Sequence, residues 1–229
     1  MLPELLRERR VAPSILSADF ARLGAQVEQV MAAGARVIHV DVMDGRFVPP
    51  ITIGPLIVGA LADQVRAAGG LLDVHLMIEA PERQVAEFAR AGADAITVHA
   101  EATPHLHRAL TAIREAGCAA GAAINPATPT AALAEVAAAG VLDLALCMSV
   151  NPGWGGQPFI PAALGKLDRL RSLMSNSGVA VEVDGGVDAD NAATCAEHGA
   201  TLLVAGSAVF GAADPAEAYA AIAHAAGAI

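Results

Sequence analysis

Lysine is almost missing from this 229-residue chain: Lys166 stands alone. Schiff-base catalysis needs a desolvated lysine facing its substrate. Lys166 falls in a helix-like stretch and reads as a surface residue, so imine-forming chemistry is not expected. Aromatic residues make up only 3%, too few for the stacking surfaces that single-stranded nucleic acid requires. Positive charge is also scarce. A formal net charge of −10 leaves no electrostatic footprint for DNA or RNA and argues against anionic membranes. Phosphate can still be held by local backbone N–H groups. Cys118, Cys147 and Cys195 are far apart and lack metal-ligand spacing. They read as small buried hydrophobes in a reducing compartment. The charged segment Met1–Arg10 has no apolar run behind it and is not a secretory signal. The uncharged stretch 116–134 is interrupted by Asn125, Pro126 and Pro129, so it does not read as a membrane span. A soluble cytoplasmic protein is expected, with neither nucleic acid nor membrane as partner.

What the chain does have is a rhythm. Apolar runs at Val11–Leu16, Arg36–Val42, Leu71–Met77, Ala95–Val98, Ala119–Ile124, Leu142–Met148, Val179–Asp184 and Thr201–Ala205 alternate with amphipathic, alanine-rich segments. Four of these segments, Ala18–Ala33, Pro81–Ala91, Pro104–Ala116 and Pro129–Ala139, each end at a glycine. Pro near a helix start and Gly just past its end is the usual asymmetry of helix termini. Strand–helix units repeated without a linker imply parallel strands with helical crossovers. The expected fold is α/β, a single (β/α)8 TIM barrel of the phosphate-binding type filling residues 1–229, with an open doubly wound sheet as the alternative. The alanine-rich helix exteriors also leave room for a homo-oligomer.

In a barrel, chemistry belongs at the C-terminal ends of the strands. In the run Ile38-His39-Val40-Asp41-Val42, the apolar residues share one strand face, while His39 and Asp41 share the other. Asp73, His75 and Met77 alternate in the same way along the third strand, as do Glu182 and Asp184 along the seventh. His39, Asp41, His75 and Asp184 form an N/O set suited to a divalent transition metal. Glu182 should point inward, deeper in the barrel, where a buried carboxylate needs a partner. His99 reads as a rim histidine hydrogen-bonded near the site, and His105, His107, His198 and His224 as solvated helix residues. Asp44 reads as a structural loop carboxylate.

A second cluster points to phosphate. Gly153, Trp154, Gly155 and Gly156 follow the sixth strand, Gly185 and Gly186 the seventh, and Gly206 and Ser207 the eighth. Glycine lets backbone N–H groups approach an anion closely, and the last loops of such barrels commonly hold phosphate. Ser14 reads as a hydrogen-bond donor to substrate, and Met43, Met77 and Met148 as a polarisable, uncharged lining.

Taken together, the chain resembles the ribulose-phosphate 3-epimerase family over nearly its whole length. The matching stretches are Ala12 to Asp19, His39 to Gly45, Val74-His75-Leu76-Met77, Asn125 to Pro129, Met148 to Gln157, Glu182 to Gly186 and Ala205-Gly206-Ser207. Trp154 stands where the family usually has Phe, and Pro50 where it usually has Asn. The resemblance implies a metal-dependent epimerase of the pentose phosphate pathway, an isomerase interconverting D-ribulose and D-xylulose 5-phosphates by inversion at C3. It implies Asp41 and Asp184 as opposed acid/base residues across a metal-stabilised enediolate. It also implies metal ligation by His39, Asp41, His75 and Asp184, and substrate contacts from Ser14, His75, Met43, Met77 and Met148. Zn2+ or Fe2+ are the expected ions, with Mn2+ and Co2+ admitted by the same donor set. Related readings are an epimerase of a ketohexose 6-phosphate, a C–C lyase or synthase of the same barrel group, and a sugar-phosphate binding protein.

Overall fold

A computed structural model describes residues 4–228. Met1–Pro3 and Ile229, at the ends of the expected 1–229 domain, lie outside the described residues. Strands β1 (Arg10–Pro13), β2 (Val37–Met43), β3 (Leu71–Met77), β4 (Ala95–His99), β5 (Ala119–Ile124), β6 (Leu144–Met148), β7 (Ala180–Asp184) and β8 (Leu202–Ala205) form one parallel sheet. The interleaved helices are α1 (Leu23–Ala32), α2 (Pro55–Ala67), α3 (Val85–Ala91), α4 (Leu106–Glu115), α5 (Ala134–Ala138), α6 (Ala162–Met174), α7 (Ala192–Glu197), α8 (Ser207–Phe210) and α9 (Pro215–Ala226).

Each strand from β2 to β8 pairs with its sequence neighbour, and β8 pairs with β1. A doubly wound sheet would reverse its strand order at a switch point. None is present, and the parallel bridge Ser14↔His39 joins β1 to β2. The architecture is therefore a (β/α)8 barrel whose seam lies at β1 and β2. Among the described residues, no helix is long and apolar enough to cross a membrane.

Strand alternation sorts the interior. Outward residues such as Ile38, Val40 and Val42 join the core beneath the helices. Inward residues Val37, Leu71, Ala95, Ala119, Leu144, Ala180 and Leu202 plug the N-terminal end, backed by Leu6. Above that plug the inward positions turn polar. Register sets His39 beside Asp73, Asp41 beside His75 and Met43 beside Met77, and Met148 beside Asp184. On β5 the inward residue at this height is Gly121, where an added Cβ would lie 2.0 Å from Thr97 Oγ1. The small β5 face makes room for the side chain of β4.

The expected helices Ala18–Ala33, Pro81–Ala91 and Pro129–Ala139 each begin as a 3-10 turn and become α-helical later. In the first, the Asp19 carboxylate accepts from Ala21 N and fixes the turn, so α1 starts only at Leu23. α9 shows the expected punctuation in full. Asp214 caps the N–H groups of Ala216 and Glu217, Pro215 opens the first turn, and Gly227 at φ 62° ends the helix.

Candidate active site

Four side chains converge at the barrel mouth. The available ligand atoms of His39, Asp41, His75 and Asp184 all lie within 4.8 Å of one another. Asp41 Oδ1 is 3.3 Å from His39 Nε2 and 3.1 Å from His75 Nδ1, and His75 Nδ1 is 3.6 Å from Asp184 Oδ2. Each residue sits here because two-residue steps on β2, β3 and β7 keep it facing inward.

The electrostatics of the cluster call for positive charge. Burial alone would favour neutral imidazoles, but the Asp41 and Asp73 carboxylates outweigh it and raise His39 well above its ordinary pKa. At His75, burial is again overcome, here by Asp184 and Asp41, which push the ring up to about 9. Asp41 shows the converse. Burial would raise its carboxyl, yet the charges and hydrogen bonds of His39 and His75 hold it well below the usual carboxylate range. Two protonated rings or one divalent cation would answer the same demand. Among the described residues His39 Nε2 is buried without a hydrogen-bond partner, so once deprotonated it offers a ligand-capable lone pair to the cluster. Compact N2O2 donors, an unpartnered imidazole nitrogen and surplus negative charge fit a divalent metal.

A deeper set of groups holds the first one. His39 Nδ1 bonds Asp73 Oδ2 at 2.8 Å and lies 3.4 Å from Glu182 Oε1. His39 is thus the nearest basic group to Glu182, but neither Glu182 oxygen has a hydrogen-bond partner among the described residues. Burial and the Asp73 carboxylate still raise Glu182 well above its ordinary value, although His39 opposes them. His75 Nε2 meets His99 Nε2 at 2.8 Å, and His99 Nδ1 lies 3.4 Å from Glu101 Oε2. His99 is wholly buried rather than placed at an exposed rim. Burial pushes it down to about 4, with Glu101 opposing. The partial desolvation of the Glu101 side chain would raise it. Its close approach to His99 and its bonds from Thr128 and the Asn125 N–H prevail and hold it at about 2. Ser14 Oγ donates to Asp41 Oδ2 at 2.6 Å.

Above the cluster lies a cavity that opens to solvent. It is lined by Ser14, Asp41, Asp184, Met43, Met77 and Met148, together with Gly153, Trp154, Gly155, Gly156, Gly185, Gly186, Gly206 and Ser207. Every sequence-expected residue therefore reaches this cavity except His39 and His75, which are buried under it. The 151–157 loop is folded on itself by Gln157, whose side-chain amide donates to the carbonyls of Asn151 and Trp154. The Trp154 residue remains 56% exposed. Gly185 and Gly186 have a packing reason as well as a conformational one. Both have positive φ, and an added Cβ would meet Val150 at 2.4 Å or Phe159 N at 2.6 Å.

Lys166 departs from expectation. It is 4% exposed rather than a surface residue, because its ammonium donates to the carbonyls of Asn125 and Pro126. It does not line the cavity, so its ammonium is not placed to form an imine there. His105, His107 and His224 are exposed, while His198 is partly buried against Asp168. Asp44 is structural: its oxygens take the N–H groups of Arg46, Phe47 and Glu79. Sequence reasoning assigns no role to Asp73, Glu101 or Ser149. Ser149 Oγ donates to the carbonyls of Asp184 and Gly185 and fixes the end of β7. Strand parity marks Asp73 as inward, but nothing local marks the other two.

Known proteins share this arrangement of chain. The profile of the ribulose-phosphate 3 epimerase family matches residues 10–210. Ribulose-phosphate 3-epimerase of Synechocystis sp. is 56% identical over 216 residues, spanning 93% of this chain and 92% of that protein. Ribulose-phosphate 3-epimerase of Bacillus subtilis is 53% identical over 209 residues, spanning 90% of this chain and 94% of that one. The fold alone is shared with a crystal structure of KGPDC from Streptococcus mutans, at a TM-score of 0.75 and 17% identity, covering 96% of this chain and 98% of that one. The family profile, the long high-identity alignments and the barrel agree, and the chain belongs to the ribulose-phosphate 3 epimerase family.

Proposed function

We propose that this isomerase inverts C3 of D-ribulose 5-phosphate to give D-xylulose 5-phosphate. One observation carries the reading: the Asp41 and Asp184 carboxylates enter a single cavity from β2 and β7, with β1 and β8 between them in the sheet. Inversion next to a carbonyl requires a proton to leave one face of carbon and return to the other. Two carboxylates reaching the cavity from separate strands meet that requirement. One acts as base on one face, and the other acts as acid on the opposite face, with their roles exchanged in the reverse direction. Positioned acid/base groups contribute about 10²–10⁴-fold each.

His39, Asp41, His75 and Asp184 would hold a divalent ion, with Zn2+ or Fe2+ foremost. That ion supplies Lewis-acid stabilisation of the negative charge that develops on substrate oxygen. The remaining work belongs to the chain. Met43, Met77 and Met148 surround the reacting carbon with uncharged surface and offer it no stray proton. The backbone of the 153–156, 185–186 and 206–207 segments binds the phosphate, and Trp154 covers that end. Ser14 orients Asp41 through its short hydrogen bond.

Asp41→Asn and Asp184→Asn, each assayed on D-ribulose 5-phosphate, are expected to lose at least about 10²-fold in kcat while retaining the fold. Solvent deuterium should enter C3 of the recovered sugar phosphate. Epimerisation without isotope entry would sink the two-base reading.

A further inference from the structure

Both histidines of the cluster have a second ring nitrogen, and these are held differently. His39 reaches a carboxylate directly through Nδ1, Asp73 Oδ2 at 2.8 Å. This is the usual device for orienting an imidazole ligand. His75 reaches another imidazole, His99, and only beyond it a carboxylate, Glu101. We infer that His99 and Glu101 are positioning residues that hold a hydrogen on His75 Nε2, so that Nδ1, which faces Asp41 and Asp184, is the nitrogen left for a metal ion. This rests on the metal-binding reading above.

Counting hydrogens decides the tautomers. Two imidazole nitrogens 2.8 Å apart, His75 Nε2 and His99 Nε2, hold one hydrogen between them, because two would collide and none would leave lone pairs opposed. Geometry at the far end says which ring owns it. Glu101 Oε1 accepts from the Asn125 N–H at 2.7 Å and from the Thr128 hydroxyl. Its other oxygen faces His99 Nδ1 at 3.4 Å. A carboxylate only accepts, so His99 carries its hydrogen on Nδ1 and presents a lone pair at Nε2. The shared hydrogen then belongs to His75 Nε2. Without metal, His75 Nδ1 carries a second hydrogen toward Asp41, 3.1 Å away, with Asp184 at 3.6 Å, and that hydrogen is the one a metal ion would replace. Polarity therefore runs from Glu101 through His99 to the cluster.

The relay is also braced. Phe47 packs on the His99 ring with centroids 4.7 Å apart, and Asp44 takes the Phe47 N–H at 3.0 Å. At the other end, Lys166 holds the carbonyls of Asn125 and Pro126. Thus the one lysine of the chain clamps the loop that orients Glu101. Lys166 and Asp44 lie outside the cavity lining, so they act on the relay through the loops they hold.

The test compares wild type, Glu101→Gln and His99→Phe. Metal-free protein is titrated with Co2+ and followed by visible absorption, with near-UV circular dichroism to check the fold. In Glu101→Gln, the amide oxygen stays on Asn125 and Thr128, so the NH2 group faces His99 and reverses both tautomers. Co2+ affinity should fall by about 10–100-fold in each variant, the usual cost of losing an outer partner of a metal-binding histidine. Nitrogen-15 NMR of the Zn2+-loaded wild type should find hydrogen on His75 Nε2 and on His99 Nδ1. Unchanged Co2+ affinity in folded Glu101→Gln would overturn the relay. So would a wild-type His75 carrying its hydrogen on Nδ1, which needs no variant to fold. Wild type that binds no Co2+, or whose binding survives His39→Ala, would instead overturn the metal reading itself.

Discussion

Freed of metal, the protein should lose stability as pH rises from 6.5 to 9. His75 titrates near 6.5 when unfolded and is pushed up to about 9 in the fold by Asp184 and Asp41, against the opposing effect of burial. Below 6.5 both states hold the proton, and the stabilisation is fully present. Above it the unfolded chain releases its proton first, so the stabilisation drains away until the folded ring also titrates near 9. The slope is about 1.4 kcal/mol per pH unit, and His75 alone accounts for about 3 kcal/mol. For a chain of this length that is a fall of about 6–12 °C in Tm. His39 is also raised and adds in the same direction. Glu182, a carboxyl raised by burial and by Asp73, likewise weakens the fold as pH climbs above its unfolded value. Glu182→Gln removes that part and leaves the histidines. His99 has the opposite sign. Lowered to about 4, it contributes stability that is present above 6.5 and lost as pH falls toward 4, so it is silent on the alkaline arm. The assay is thermal unfolding of chelator-treated protein across this range. Added divalent metal should stabilise more at the alkaline end, because deprotonated ligands bind it. A metal-free Tm that stays level from pH 6.5 to 9 would refute the charge assignment of the cluster.

Gly121→Ala should destabilise the fold by about 1–3 kcal/mol in urea unfolding, the range for overpacking a filled core. Adding Thr97→Ala should rescue it only in part, since the new Cβ meets Thr97 Oγ1 at 2.0 Å but also Thr97 Cα at 3.1 Å. Lys166→Met should cost about 1.5–3 kcal/mol, the worth of hydrogen bonds to a charged donor, with the loss read from the urea midpoint. Gly185→Ala combines φ +121° with a 2.4 Å contact to Val150. It should weaken binding of inorganic phosphate in calorimetry as well as lower Tm, because the loop must shift to admit the methyl group.

The fold is legible in the sequence because two periodicities and the punctuation at helix ends agree along the whole chain. β3 and β5 fall where the apolar runs fall, at Leu71–Met77 and Ala119–Ile124. Helix starts are less legible, since a proline or a capping aspartate is compatible with either a 3-10 turn or an α-turn. The inward cluster can be read because strand parity is a local property: once β2 and β3 are strands, His39, Asp41 and His75 must share the interior. What parity cannot give is contact across the barrel. That Glu182 meets His39, or that His99 meets His75, depends on the stagger between strands. Lys166 misleads for a related reason. One lysine in an amphipathic helix looks solvated, and only the packing of α6 beside the 125–126 carbonyls shows its ammonium turned inward.

Closure of the barrel and orientation of the carboxylate proposed as an acid/base meet at one residue. Between β1 and β2 the sheet is joined by the bridge Ser14↔His39, and the same Ser14 gives its hydroxyl to Asp41 at 2.6 Å. The seam is where a barrel can open with the fewest backbone hydrogen bonds broken, so any loosening there moves Asp41 first. A hydroxyl committed to Asp41 also leaves that carboxylate with one oxygen aimed at the imidazoles and one tied to β1. Ser14 therefore exerts its effect on chemistry through the direction of Asp41, and barrel stability at the seam and reactivity at the mouth are coupled through that single side chain.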